Sequence, residues 1–345
     1  MIHLKRIALP AGFAALAISQ ATAQPAAPVP VARNGEKPRN VIFILSDDHR
    51  YDFMGFTGAV PWLQTPALDR MAREGACLKN AFVTTSLSSP SRASILTGLF
   101  THTHTVVDNQ APKPDDLVFF PQYLQQNGYR TAFFGKWHMG NQDDMPQPGF
   151  DHWEGFRGQG TYYNTVLNIN GERVKFDPEL YSTDILTDHA IDFVRDNEEG
   201  PFFIYLSYKS VHSGFQPSPS RKGMYKDEKA VYPPSFNVPE YGIPRLPSKD
   251  ADGRPLAGRG WYGESRLPDW VKNQRESWHG VDYQYHGALP YEEDFRNYCE
   301  TVTSMDDAIG RLLDFLQAEG LGESTLVIYM GDNGFTWGDV DVLHH

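Results

Sequence analysis

Four short, unbroken apolar runs constrain this chain more than any other feature. They lie in "NVIFILSDDHR" (residues 40–50), "RTAFFG" (130–135), "PFFIYLSYK" (201–209) and "STLVIYMGDNG" (324–334). Each is too short for a globular helix and does not alternate, so each reads as a strand buried on both faces. Helix signals fill the intervals. "TPALDRMAREG" has Thr65 as cap, Pro66 at the first helical position and Gly75 at the end. "PSRASILTG" closes on Gly98, and "FPQYLQQNGY" and "STDILTDHAIDFVRD" carry two more helices. In "EEDFRNYCETVTSMDDAIGRLLDFLQAEG", Tyr298, Val302, Met305, Ile309, Leu312 and Leu316 recur at three-and-four spacing, which gives one apolar helical face. Strands alternating with helices predict an α/β fold, a doubly wound and mostly parallel sheet flanked by helices. "CLKNAFVTT" (77–85) reads as a further strand.

With 345 residues, 40% of them hydrophobic, the chain can bury a large core as one large domain or two smaller ones. Its formal net charge of −12 argues against nucleic acid as the main partner. It does not exclude an anionic substrate, because a site can be locally basic. Lys5 and Arg6, the apolar run Ile7–Ile18 and Ala21-Thr22-Ala23 have the layout of a secretory signal peptide over residues 1–23. The expected product is exported, to the periplasm or beyond the cell. That apolar run is too short to cross a bilayer and no later one approaches the length, so no stable membrane span is expected. Residues 24–39 are rich in Pro and Ala and read as a tether. The strand–helix pattern lapses over 213–290, which holds ten prolines and reads as a substrate-facing insertion in a catalytic domain spanning 40–345. The two cysteines, Cys77 and Cys299, are expected to be buried free thiols.

Polar residues cluster where the strands end. Asp47 and Asp48 follow the first, and Asp332 and Asn333 follow the last. In an open parallel sheet the carboxyl ends of the strands line the ligand crevice. Either pair alone is an ordinary turn or cap. Together they would repel one another unless a cation lies between them, and hard oxygen ligands suit calcium or magnesium. A basic set falls at the same edge: Arg92, Lys136 and His138 in "GKWHMG", and His212 closing "YLSYKSVH". Cations beside a metal make a pocket for a multiply oxygenated anion such as a sulfate or phosphate ester.

The run "SSPSRASILTG", Ser88 to Gly98, resembles the signature of type I sulfatases in its serine-type form, and "GYRTAFFGKWH" resembles the second sulfatase signature. The paired aspartates after the first strand, "MDDAIGRLLDFL" and the terminal DNG recur in the same order, so the resemblance runs from about Asn40 to about Gly338. It implies an alkaline-phosphatase-like core and hydrolysis of sulfate esters. Ser88 would be converted to formylglycine by a serine-type maturase that reads Pro90 and Arg92. Asp47, Asp48, Asp332, Asn333 and the modified Ser88 would hold calcium. Arg92 would steady the formylglycine, while Lys136, His138 and His212 would contact the sulfate and move protons. "THTHTVVDN" resembles the histidine-rich loop of sulfatases acting on N-acetylglucosamine 6-sulfate, with a plain surface loop as the alternative. A sulfated carbohydrate is therefore the expected substrate, with a phosphate or phosphonate ester, or an inactive product, as alternatives. Family members usually continue after DNG with a lysine-bearing segment and a smaller C-terminal subdomain. Here the chain reads "GFTWGDVDVLHH", which leads to the expectation of a C-terminally truncated sulfatase.

Overall fold

The computed structural model describes residues 38–140, 142–197, 200–233 and 291–337. The expected signal peptide, nearly all of the expected tether, most of the proline-rich stretch and the end of the chain lie outside the described residues. Seven strands form one sheet in the order β5-β4-β3-β2-β6-β1-β7. They are β1 (Asn40–Ser46), β2 (Arg130–Lys136), β3 (His152–Phe156), β4 (Val166–Ile169), β5 (Glu172–Lys175), β6 (Phe202–Ser207) and β7 (Thr325–Gly331). The pairs β3–β2, β2–β6, β6–β1 and β1–β7 are parallel, whereas β4 and β5 add an antiparallel meander beyond β3. The four apolar runs are the strands β1, β2, β6 and β7.

Alternate residues of these strands feed two cores, as a period of two requires. Ile42, Ile44, Phe134, Ile204 and Leu206 point to one face, which is covered by α1 (Pro66–Glu74), α5 (Ser182–Arg195) and α6 (Tyr291–Ala318). Phe43, Leu45, Phe133 and Tyr205 point to the other, where Ala93 and Leu96 of α2 (Ser88–Thr97) pack beside Trp137 and Trp153. The short helices α3 (Thr101–His104) and α4 (Phe120–Gln126) complete the α-helices of the described residues. The whole predicted stripe of α6, from Tyr298 to Leu316, is buried. Full burial of each such aliphatic side chain contributes about 1.5–3 kcal/mol.

Several expectations are corrected. Residues 77–85 form no strand. Leu78 and Phe82 are 80% and 89% exposed, and Cys77 is exposed rather than buried, while Cys299 is buried and free as expected. The β-branched and aromatic content of that segment favours a strand only where a neighbour exists to pair with. The strand β7 is not buried on both faces: among the described residues it is an edge strand, with Leu326 48% exposed. The described part of the proline-rich stretch, 213–233, packs largely on α6. Phe215 meets Tyr298 and Trp337 edge-on or tilted, Ser218 N–H donates to Ser304 Oγ (2.9 Å), and the buried Tyr225 donates to or accepts from Thr303.

Thr65 precedes α1 as expected but does not cap it with its side chain; its hydroxyl donates to Asp69 and accepts from Gly55 N–H. The cap comes from α6. Asp306 accepts from Ala67 N–H (2.9 Å) and Leu68 N–H (2.8 Å), so the first aspartate of "MDDAIGRLL" pins two helices together. Asp306→Ala would strand two buried donors. It is expected to lower stability by about 2–4 kcal/mol in chemical denaturation, with Asp306→Asn retaining roughly half of the loss. An unchanged denaturation midpoint would rule out this cap.

Candidate active site

The loop ends of β1, β2, β6 and β7 meet at one edge of the sheet, and all nine polar residues singled out in the sequence are found there. Parallel register brings Ser46 beside Gly331 and Leu45 beside Ser207, so the residues that follow are neighbours. Gly135 lets β2 and β6 close up: its φ is +107°, and a Cβ there would stand 1.8 Å from Ser207 O. No side-chain-bearing residue could be accommodated without separating the two strand ends. Asp48 (φ 59°) and His138 (φ 52°) both adopt the left-handed region, a strained choice for residues other than glycine and one that recurs at functional sites.

The serine-rich run explains itself in three dimensions. Helix α2 starts at Ser88, ends at a left-handed Gly98 (φ 69°), and buries its entire first turn and a half. Each early serine ties the helix to a different strand end. Ser88 Oγ donates to Asp47 Oδ1 (3.2 Å), Ser89 Oγ to the His138 carbonyl and Ser91 Oγ to the Asp332 carbonyl. Ser89 N–H, one of the unpaired donors of the helix start, is taken by Asn109 Oδ1 at 2.9 Å. The positive end of the helix therefore faces the carboxylates.

Arg92 is the hub. Its guanidinium donates twice to Asp332 Oδ2 (3.1 and 2.9 Å), to the Lys136 carbonyl (2.9 Å) and to Ser207 Oγ (2.7 Å), and lies 3.5 Å from Asp47. It reaches the carboxylates and two strand ends rather than the Ser88 hydroxyl. Lys136 Nζ donates to Asp47 Oδ2 and to Gln159 Oε1, and lies 3.5 Å from Ser88 Oγ. Asp332 Oδ1 accepts from the backbone N–H of both Asp48 (3.0 Å) and Asn333 (2.8 Å). His212 Nε2 stands 3.7 Å from Asp48 Oδ2.

Charge is unevenly shared. Burial alone would raise Asp47, but Lys136, His212 and Arg92 hold it well below the usual carboxylate range. Asp48 and Asp332 are pushed up to about 7, first by burial and then by the charge of Asp47. Burial, followed by Lys136, lowers His138 to about 2, and burial also carries His212 well down, so both rings are neutral near pH 7. Asp47 is thus a weak base for the Ser88 hydroxyl, which leaves an unmodified serine a poor nucleophile.

The donor set suits a hard divalent cation. One carboxylate oxygen from each of Asp47, Asp48 and Asp332 lies within 4.8 Å of the others. Opposed oxygen ligands about 2.4 Å from calcium are about that far apart. Asn333 Oδ1 is buried with no hydrogen-bond partner, an acceptor left over beside the cluster. Sequence reasoning missed Gln159, Asn109 and Lys209. Lys209 had a signal, as a basic residue just past a strand end; the other two act through contacts remote in sequence.

A sulfatase family model matches residues 39–344. The chain belongs to the sulfatase family. Among its relatives is the N-acetylglucosamine-6-O-sulfatase of Bacteroides thetaiotaomicron, 32% identical over 340 residues that cover 88% of this chain and 59% of that protein. The N-acetylglucosamine-6-sulfatase of Homo sapiens is 27% identical over 327 residues, covering 88% and 52%. The chain therefore spans somewhat over half the length of these relatives. A solved structure of a protein in complex with its substrate D-glucosamine-2-N,6-O-disulfate superimposes with a TM-score of 0.70 at 30% identity, covering 90% of this chain and 68% of that one. The phosphonate monoester hydrolase of Agrobacterium radiobacter, at 17% identity and TM-score 0.60, shares the fold.

The hub role of Arg92 is directly measurable. Arg92→Met should destabilise the chain by about 3–5 kcal/mol, the usual cost of removing one partner from buried carboxylates. Adding Asp332→Asn should recover part of that loss, because the two groups interact. Strictly additive losses would show that Arg92 is not holding Asp332.

Proposed function

We propose that residues 40–345 are the catalytic domain of an exported, calcium-dependent hydrolase of carbohydrate sulfate esters. A 6-sulfated N-acetylglucosamine is the favoured substrate, and formylglycine derived from Ser88 is the nucleophile. One observation carries the reading: Ser88, buried at the start of α2, is hydrogen-bonded to a carboxylate that belongs both to the acidic triad and to the Lys136 ion pair. The two relatives named for 6-sulfated glucosamine, and the serine-type signature at Ser88–Arg92, support it. No helix among the described residues is long and apolar enough to cross a membrane.

Asp47, Asp48, Asp332, Asn333 and position 88 would hold calcium. Together, calcium and the hydrated aldehyde of formylglycine would supply, when present, an activated hydroxyl for attack on sulfur and stabilisation of oxyanion charge. The rest is done by the chain itself. Arg92 and the N-terminus of α2 hold position 88 and Asp332 in fixed relation. Lys136, held by Asp47 and Gln159, presents positive charge beside position 88. His138 keeps a buried Nδ1 with no hydrogen-bond partner, and His212 lies across the cluster beside Asp48. A seated sulfate favours the imidazolium form of both rings, so substrate binding draws in the proton that the leaving oxygen needs. A positioned acid of this kind typically gives 10²–10⁴-fold.

Co-expression with a serine-type maturase should yield a Ser88 peptide two hydrogens lighter by mass spectrometry, and turnover of a 6-sulfated N-acetylglucosamine should exceed that of the matching phosphate ester. Ser88→Ala should reduce turnover to background. Unmodified Ser88, alongside a control substrate that the maturase does convert, would refute the nucleophile. Preference for the phosphate ester would move the assignment to phosphoester hydrolysis.

A further inference from the structure

Three cations other than histidine lie buried around the acidic cluster, and they are differently engaged. All of the contacts of Arg92 are to carboxylates, a carbonyl and a hydroxyl of the strand ends. Lys136 is taken by Asp47 and Gln159. Lys209 is the exception. It sits two residues beyond β6, in a segment laced to the end of β1. Tyr208 N–H donates to Leu45 O (2.9 Å), Asp47 N–H to Ser210 O (2.9 Å) and Val211 N–H to Asp47 O (2.7 Å). The whole residue is only 7% exposed. Yet among the described residues its ammonium has no ion pair and no hydrogen bond; it lies over the face of Tyr162, 4.9 Å from Nζ to the ring centroid.

A buried ammonium with no counter-ion is unfavourable unless a ligand completes it. Burial first, and then the charge of Lys136, lowers Lys209 to about 8, so it is still largely charged near neutrality. Tyr162 links this cation to the pocket. Its ring carries Nζ while its hydroxyl donates to the His212 carbonyl (2.7 Å), and His212 N–H in turn donates to the Lys209 carbonyl (2.9 Å). The cation, the aromatic platform and a pocket histidine are thus joined by direct contacts. Cation–aromatic contact favours the charged ammonium and leaves its N–H donors available.

We propose that Lys209, held over Tyr162, is a sulfate-binding residue of the pocket that donates to the anionic oxygens of the substrate ester. The inference deepens the sulfate-ester reading and rests on it. Because the group it contacts is the sulfate itself, inorganic sulfate is a sufficient probe. Its dissociation constant is to be measured by calorimetry on the full chain and on Lys209→Met, Lys209→Gln and Lys209→Arg, together with kcat and KM on an aryl sulfate ester after maturation.

Lys209→Met and Lys209→Gln should each weaken inorganic sulfate binding roughly 10- to 100-fold, as loss of a charged hydrogen bond does. KM should rise with it, and Lys209→Arg should recover most of the affinity. Melting temperature without sulfate should stay level or rise in Lys209→Met, because an uncompensated buried charge is removed. A purely structural lysine would instead lower it. Sulfate affinity within twofold of wild type in both neutral variants would overturn the proposal, as would failure of both to fold. If the wild-type chain binds sulfate but turns over no sulfate ester, hydrolysis is refuted while the affinity comparison still decides Lys209. If it binds no sulfate, both fail.

Discussion

The convergence of three buried carboxylates at one sheet edge is the constraint on which the rest of the site depends. Asp47, Asp48 and Asp332 are excluded from solvent and lie within a few ångströms of one another. Such an arrangement is tolerable only with compensating positive charge. Arg92 and Lys136 supply part of it, chiefly to Asp332 and Asp47. Asp48 accepts from Asn333 and lies 3.7 Å from a neutral His212, and burial followed by the charge of Asp47 pushes its carboxyl up to about 7. The residual imbalance is what a divalent cation would relieve, and it falls beside Asn333 Oδ1, the acceptor with no partner.

The fold serves that convergence. Parallel strands deliver their ends to one edge, Gly135 allows two of those ends to approach closely, and α2 is tied across them by Ser88, Ser89, Ser91 and Arg92. Hydrogen bonds from one helix turn to four separate strand-end loops make the position of Ser88 a property of the whole sheet. Asp306, on the helix α6, secures α1 to α6 by a related device, a carboxylate on orphan backbone donors.

The strands β1, β2 and β6 were readable because a strand covered on both faces must be apolar throughout, and β7 carries the same unbroken apolar run although it is partly exposed at the sheet edge. The polar residues right after them could then be placed at one edge. The strands β3, β4 and β5 were not readable. "HWEGF" mixes charged, glycine and aromatic residues, and β5 is exposed along its whole length, so neither has a one-dimensional pattern. Residues 77–85 erred in the other direction, with strand-favouring residues and no partner strand. Thr65 was a sound cap by residue type, yet Asp306, 241 positions away, provides the acceptors. The same limit hid Asn109 and Gln159, whose roles arise from contacts 20 and 23 positions away. His104 of the histidine-rich loop is buried and bonded to Ser94 Oγ (3.0 Å), a brace on α2 that its sequence motif does not reveal.

The account stands on a cation site made by these carboxylates, and its most direct test is a calorimetric titration of calcium into chelator-treated protein. One site per chain is the predicted result for the native sequence, with no measurable binding once Asp48→Asn and Asp332→Asn are combined. Calcium binding that is absent from the native chain, or that survives unchanged in the double variant, would contradict it.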